Sequence, residues 1–137
     1  MTAKYIKILK NAKTILLVDW PDKSLPMALL KAGFMVISYS PEKYTLISYK
    51  TDYAEDKLVF SDLEGAPGEV EIVNIFRPEE EHAEIFDRHV LPLKAKVVWL
   101  QPPIASSKTA KLAKKHDLVF VNGYDIAIAA AELSINT

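Results

Sequence analysis

The residues best suited to bind a ligand form one polar segment, DWPDKS, which directly follows the apolar run Thr14–Val18. The ammonium group of Lys23 and the hydroxyl group of Ser24 suit an anion, and a helix that begins here adds free backbone N–H groups. The local sequence leaves an alternative open, in which Asp22 or Ser24 caps the helix and the segment is an exposed turn. Because ligands of open α/β sheets bind beyond the carboxyl ends of the strands, this segment is the first candidate for an anion site.

Two more polar side chains follow apolar runs later in the chain. Arg77 comes after the run Val70–Phe76, and Gln101 comes after Ala95–Leu100. A guanidinium group in such a place can reach a phosphate or a carbonyl group, and a side-chain amide both donates and accepts hydrogen bonds. Arg77 can instead pair with the glutamates that follow it, and Gln101 can cap its own loop. The sequence leaves both interpretations open.

Several kinds of chemistry are excluded by residue types that the chain lacks. Without cysteine there are no disulfides, thiolate metal ligands or thiol nucleophiles. None of the four glycines follows the first apolar run, so the dinucleotide fingerprint and the phosphate loop are absent. His82 and His89 are seven residues apart, too far along a helix to bind one ion as a close pair, and we expect both at the surface. We therefore expect no catalytic and no metal-binding residues.

Composition favours a single domain that spans residues 1–137. Seventeen basic and 18 acidic residues give a net charge of -1, so there is no global electrostatic case for nucleic acid or for an anionic membrane as a partner. The N-terminal segment lacks a continuous apolar region of signal-peptide length, and no stretch approaches a membrane span. We expect a soluble, cytoplasmic protein.

Apolar strand-like runs alternate with helical patterns along the chain, which predicts a three-layer α/β fold. The predicted core strands are Thr14–Val18, Phe34–Ser38, Val70–Phe76, Ala95–Leu100 and Leu118–Val121. They are expected to form a five-stranded, mainly parallel sheet in the order 3-2-1-4-5, with a β-hairpin inserted between Tyr44 and Phe60. That order puts the switch point between the first and fourth strands, so the loops after Val18 and Leu100 should face each other across a crevice.

Five segments occur in an order typical of one protein family: KTILLVDWP, LLKAGF, VEIVNIFRPEEE, KVVWLQPPI and LVFVNGYDIA. With them the chain resembles the small stand-alone coenzyme A-binding proteins, which are similar to the nucleotide-binding domain of the succinyl-CoA synthetase α subunit. The resemblance covers about Lys13 to Ile126, and its most specific phrases are VNIFRP and VVWLQ. It implies a Rossmann-like fold and a non-enzymatic protein that binds coenzyme A (CoA) or an acyl-CoA. A homodimer is compatible with this interpretation.

The resemblance also implies where each part of CoA would bind. The pyrophosphate and ribose would lie over the first loop, the adenine near the end of the second strand, and the pantetheine arm near the third and fourth loops. By position, these expected contacts are Asp19, Trp20, Pro21, Asp22, Lys23 and Ser24; Ser40 and Pro41; Phe76, Arg77 and Pro78; and Gln101.

The first loop also departs from the family pattern. Family members generally close the first strand with glycine and continue through a longer loop, whereas here Asp19 stands at the glycine position. A carboxylate there opposes a pyrophosphate unless a cation neutralises it. Pro102 likewise replaces a glycine, and proline lacks a backbone donor. A second hypothesis is therefore a degenerate Rossmann module that binds protein partners instead of a nucleotide, and a third is a small enzyme that uses Asp19 as a base or metal ligand.

Overall fold

Residues 2–39 and 43–135 are described by a computed structural model, in which one sheet carries helices on both faces. The strands are β1 Thr14–Val18, β2 Met35–Tyr39, β3 Tyr44–Asp52, β4 Glu55–Asp62, β5 Ile72–Ile75, β6 Val97–Leu100 and β7 Val119–Val121. The helices are α1 Thr2–Lys10, α2 Ser24–Lys31, α3 His82–Ile85, α4 Ser107–Lys115 and α5 Ile126–Ile135. Helix α3 is preceded by the 3-10 turn Glu79–Glu81 and followed by the π-helical turn Phe86–Val90. Within the described residues, no helix has the length and apolar character needed to cross a membrane.

The described residues form a seven-stranded sheet in the order β4-β3-β2-β1-β5-β6-β7. Strands β1, β2, β5, β6 and β7 are parallel, and the antiparallel hairpin β3–β4 extends the sheet beyond β2. The predicted α/β class is confirmed, but the prediction of five strands in the order 3-2-1-4-5 is wrong. The third parallel strand, β5, lies beside β1 and not beside β2. Strand β3 occupies the outer edge of β2, which leaves the edge of β1 as the place for the next parallel strand.

The switch point of the sheet therefore lies between β1 and β5, and the prediction that the loops after Val18 and Leu100 face each other is wrong. The two facing loops follow Val18 and Ile75, where the chain leaves β1 and β5. The Phe76 N–H group donates to the Val18 carbonyl at 3.0 Å, so these strand ends are held together by a backbone hydrogen bond. This arrangement brings the residues that follow each strand into one crevice.

Strand β1 lies at the centre of the sheet, and four of its five residues, Ile15 to Val18, are buried there. Leu17 faces the layer that contains α1, α2 and α5, where Trp99 is the largest fully buried side chain. Leu16 faces the opposite layer, in which Phe86 and Val98 pack. Burial on both faces explains why β1 has no polar alternation. The polar residues can begin only where the strand leaves the core, at Asp19.

Candidate functional site

A crevice of about 280 Å³ opens at the switch point, between the ends of β1, β2 and β5 and the helix α3. We call it the Arg77 crevice. It is lined by Val18, Asp19, Tyr39, Arg77, Glu81, Glu84, Ile85, Arg88 and His89. Three carboxylates and two guanidinium groups are thus gathered at the edge where open α/β sheets bind ligands.

Asp19 holds a left-handed backbone conformation, with φ at 68°. Aspartate tolerates this conformation better than most residues, but glycine adopts it without steric cost. One Asp19 carboxylate oxygen accepts the Trp20 N–H group at 2.8 Å, which supports the turn. The backbone here therefore has a conformation that suits glycine, and in this chain a carboxylate stands at that point.

Arg77 is held by two carboxylates. Its guanidinium group donates to Asp19 at 2.9 Å and to both oxygens of Glu81 at 3.0 and 2.7 Å. Glu81, and then Asp19, raise the pKa of Arg77, and the guanidinium group in turn holds the pKa of Glu81 below its usual range. The Arg77 side chain is 40% exposed, so water reaches this ion pair. The rim ion pair that the sequence left open is present, and a phosphate at Arg77 competes with these carboxylates for its N–H donors.

The segment after Asp19 is internally bonded in a similar way. The Asp22 carboxylate accepts the Ser24 N–H group at 2.9 Å and also the Ser24 hydroxyl group. These bonds, the hydroxyl first, lower the pKa of Asp22. The Leu25 N–H group donates to the Asp22 carbonyl at 3.3 Å. Two of the amide groups at the start of α2 are thus engaged, while Lys23 and Pro21 are exposed.

Two histidines are buried, against the expectation that they lie at the surface. His89 lines the Arg77 crevice, and its Nδ1 atom lies 2.6 Å from the Tyr44 hydroxyl group. Burial, together with the neighbouring Arg88, lowers the pKa of His89 to about 4. His82 contacts the Thr109 hydroxyl group at 2.6 Å and the Arg77 carbonyl at 2.8 Å. His82 therefore fixes the backbone of Arg77, and His89 forms an uncharged wall of the crevice.

Gln101 lies apart from the crevice and is buried. Its amide nitrogen donates to Asp125 at 2.8 Å. Its amide oxygen accepts from the Asn74 side chain at 3.3 Å and from the Ile126 N–H group at 3.2 Å. The side chain thus ties β5 to the first turn of α5, which is a structural role, although not the capping of its own loop that the sequence left open.

A second cavity, of about 360 Å³, lies on the other side of Asp19, and we call it the hairpin pocket. It is lined by Asp19, Trp20, Ser38, Thr45, Phe60 and Asp62. The Trp20 and Phe60 rings are nearly parallel, with centroids 6.4 Å apart and planes inclined by 9°. The two cavities share Asp19, so both border the carboxyl end of β1.

The structure brings some predicted site residues together and separates others. Asp19 and Arg77 meet in the crevice, and Trp20 lines the hairpin pocket. Phe76 is half-buried and Pro78 exposed, and neither lines the two cavities. Ser40 and Pro41 lie outside the described residues.

The sequence did not indicate the side chains that strand pairing and the neighbouring helix bring into these cavities. They are Ser38, Tyr39, Thr45, Phe60, Asp62, Glu81, Glu84, Ile85, Arg88 and His89. The predicted hairpin was the available signal for those on β3 and β4, but which of its residues face β2 depends on the strand register.

A known protein family is similar to this chain in sequence, and solved structures are similar to it in fold. The model of the CoA binding domain family matches residues 25–128, which is more than half of the chain. No curated protein sequence matches the chain significantly. A hypothetical protein from Pyrococcus horikoshii OT3 is similar in structure, with a TM-score of 0.70 and 20% identity over 97% of this chain and 92% of that one. A Thermus thermophilus protein gives a TM-score of 0.69 and 18% identity over 97% and 98%. The structural similarity shows that these proteins share one fold. The match to the family model shows that the chain belongs to the CoA-binding domain family.

Proposed function

We propose that the protein binds CoA or an acyl-CoA at the carboxyl edge of its sheet and does so without catalysing a reaction. The observation that carries the proposal is the presence of two cavities that share Asp19 at this edge. One cavity presents the guanidinium groups of Arg77 and Arg88, and the other presents the aromatic rings of Trp20 and Phe60. An elongated ligand with charged phosphates and an aromatic base has matching chemistry. Family membership supports the same ligand.

Phosphates that bind at Arg77 compete with its present partners. A guanidinium group binds phosphate through paired N–H donors, and three of the five N–H donors of Arg77 are engaged by Asp19 and Glu81. Because both ion pairs are partly exposed, each contributes little to stability and can be replaced at modest cost. Arg88 pairs with Glu84 at 3.2 Å at a similarly exposed position. A polyanion can therefore recruit both cations without opening the core.

Thermal unfolding with added ligand tests the proposal. A ligand that binds only the folded state raises stability, by about 2.7 kcal/mol at one hundred times its Kd. We expect selective stabilisation by CoA, so that CoA raises the melting temperature more than NAD does at the same concentration. The Arg77→Ala variant should lose most of the CoA effect, and the Lys108→Ala variant, altered at an exposed lysine of α4 outside both cavities, should keep it. No shift at millimolar CoA would refute the proposal.

The second candidate, a nucleotide-free interaction module, is favoured by one specific observation. Asp22 already occupies the Ser24 amide, and Asp19 already occupies Arg77, so carboxylates fill two positions suited to phosphate. If this candidate is correct, CoA should fail to bind even when Asp19 is replaced by glycine. Calorimetric titration of that variant with CoA separates the two functions, since measurable binding excludes the nucleotide-free module.

A further inference from the structure

The hairpin β3–β4 extends beyond the amino edge of the sheet, where the parallel strands begin, and both ligand cavities lie at the other edge. Strand β3 is antiparallel to β2, and Ile47 is directly opposite Val36. The residues after Ser48 therefore run past Met35, the first residue of β2. At about 3.4 Å per residue, the segment 49–52 projects about 13 Å beyond that point. The turn at its end, Asp52–Glu55, is called the hairpin tip below.

The hairpin tip has three features that are unfavourable in an isolated chain. Tyr53 is 98% exposed although its side chain is large and aromatic. Tyr53 and Ala54 hold left-handed conformations, with φ at 51° and 63°, in a kind of turn that normally uses asparagine and glycine. Asp52 is directly opposite Glu55, and like charges at directly paired positions are destabilising. Neither carboxylate has a partner among the described residues. Contact with an apolar, basic surface would offset two of these costs.

Such a surface lies on the same edge of the same chain. A cavity of about 550 Å³ opens between the end of α1, the start of β1 and the segment that joins α2 to β2, and we call it the basal groove. Its large apolar lining residues are Leu9, Phe34, Met35 and Leu133. Lys10 and Lys13 also line it, are exposed, and have no carboxylate partner within the described part of the chain. A cavity of this size holds a drug-sized molecule, so an aromatic side chain fits.

The direction of the hairpin is supported by contacts beside its tip. Asp56 accepts from the Lys31 ammonium group of α2 and from the Thr51 hydroxyl group at 2.6 Å. The Lys31 ammonium group also lies 5.9 Å from the centre of the Tyr49 ring. These contacts tie the hairpin to α2 just before the tip, so less conformational freedom is lost when the tip binds a partner.

We propose that the hairpin tip of one chain docks into the basal groove of a second copy of this chain, which returns the same contact. Tyr53 enters the apolar groove, and Asp52 and Glu55 lie against Lys10 and Lys13. Tip and groove share one edge of the sheet and carry opposite charges, so a two-fold axis can pair both at once. This self-complementarity is the reason for choosing a second copy as the partner. The inference goes beyond the proposed function, since neither surface borders a ligand cavity.

Sedimentation equilibrium of the full chain tests this inference. We expect a reversible dimer whose Kd increases with salt, because the ion pairs of the contact are exposed and screened. Tyr53→Ser should weaken the dimer at least about tenfold, since an aromatic anchor is lost. Val119→Thr is the control, because Val119 is an exposed apolar residue of β7 on the far side of the sheet. A chain that stays monomeric at about 1 mM, or a dimer that Tyr53→Ser leaves intact, would overturn the inference.

A charge exchange identifies the two surfaces that meet. Glu55→Lys and Lys13→Glu should each weaken the dimer about fivefold, and the double variant should regain most of the affinity because opposite charges face each other again. Glu64→Lys, at an exposed position beyond the other end of the hairpin, should leave the dimer unchanged. A double variant that dimerises no better than either single variant would show that the tip does not meet this groove.

Discussion

The Arg77 crevice and the hairpin pocket lie on the same edge of the sheet and share Asp19, yet Arg77 in the crevice and the hydroxyl groups of the pocket differ in their hydrogen bonding. In the crevice, Arg77 already has three hydrogen bonds to carboxylates. In the hairpin pocket, the Ser38 and Thr45 hydroxyl groups have no partner within the described residues. A ligand at Arg77 competes with carboxylates that are already bonded there, whereas a ligand in the pocket meets hydroxyl groups without such partners. The two cavities therefore differ in what a ligand has to displace.

The largest effect is expected from a substitution of Gln101, which lies outside both cavities. This substitution tests whether a polar side chain that is already hydrogen-bonded stabilises the fold. Gln101→Leu leaves the Asn74 amide, Asp125 and the Ile126 N–H group without their shared partner. We expect the free energy of unfolding, measured in urea, to fall by about 2 to 3 kcal/mol, with no change in CoA affinity. Asn122→Ala, at an exposed position, serves as the control. A loss of CoA affinity with unchanged stability would make Gln101 a ligand residue instead.

Acid should destabilise the protein through His89 in the wall of the crevice. Burial, aided by Arg88, lowers the pKa of His89 to about 4 in the folded state, below the ordinary value of about 6.5 in the unfolded chain. The unfolded state therefore binds more protons between these values, so stability is complete above about pH 6.5 and is lost as the pH falls toward 4. Between pH 7 and 4.5 we expect a loss of about 2 kcal/mol, measured by urea unfolding, that His89→Gln does not show. Parallel pH profiles for the two proteins would rule out this role of His89.

One substitution removes the negative charge of Asp19, the residue that lines both cavities. Asp19→Gly suits the left-handed backbone and removes the carboxylate that occupies Arg77. We expect CoA affinity, measured by calorimetry, to rise about tenfold, because the phosphate no longer competes with or faces that charge. Asp87→Asn removes an exposed carboxylate outside both cavities and should leave the affinity unchanged. Unchanged or weaker binding in the glycine variant would mean that the carboxylate is no obstacle.

The smallest effect is expected from the second carboxylate on Arg77. Glu81→Gln keeps a side-chain acceptor beside the guanidinium group but removes its charge, so CoA should bind about threefold more tightly. The measurement is again calorimetric, with Glu80→Gln as the exposed neighbour for comparison. If this variant exceeds Asp19→Gly in affinity, then Glu81 and not Asp19 is the main competitor for the ligand.

The sequence was informative where structure depends on neighbouring residues and less so where it depends on strand pairing. The predicted bounds of β1 are those observed, and the hairpin was expected, because apolar runs and turn residues are local signals. The predicted position of β5 in the sheet was wrong, because no local sequence signal tells whether a strand pairs with β1 or with β2. The contact between Asp19 and Arg77 depends on that pairing, and the meeting of Ser38, Thr45 and Asp62 in the hairpin pocket depends on the register of three strands. Both were therefore beyond the reach of the sequence pattern.

Asp19 borders both cavities, and this gives the edge of the sheet a property that neither cavity has alone. An anion that draws Arg77 away would leave the Asp19 carboxylate without its ion-pair partner beside the hairpin pocket. We therefore expect the occupancy of one cavity to influence binding in the other. Since coupling free energies are reciprocal, a ligand in the hairpin pocket would then change the affinity of the crevice for an anion by the same factor.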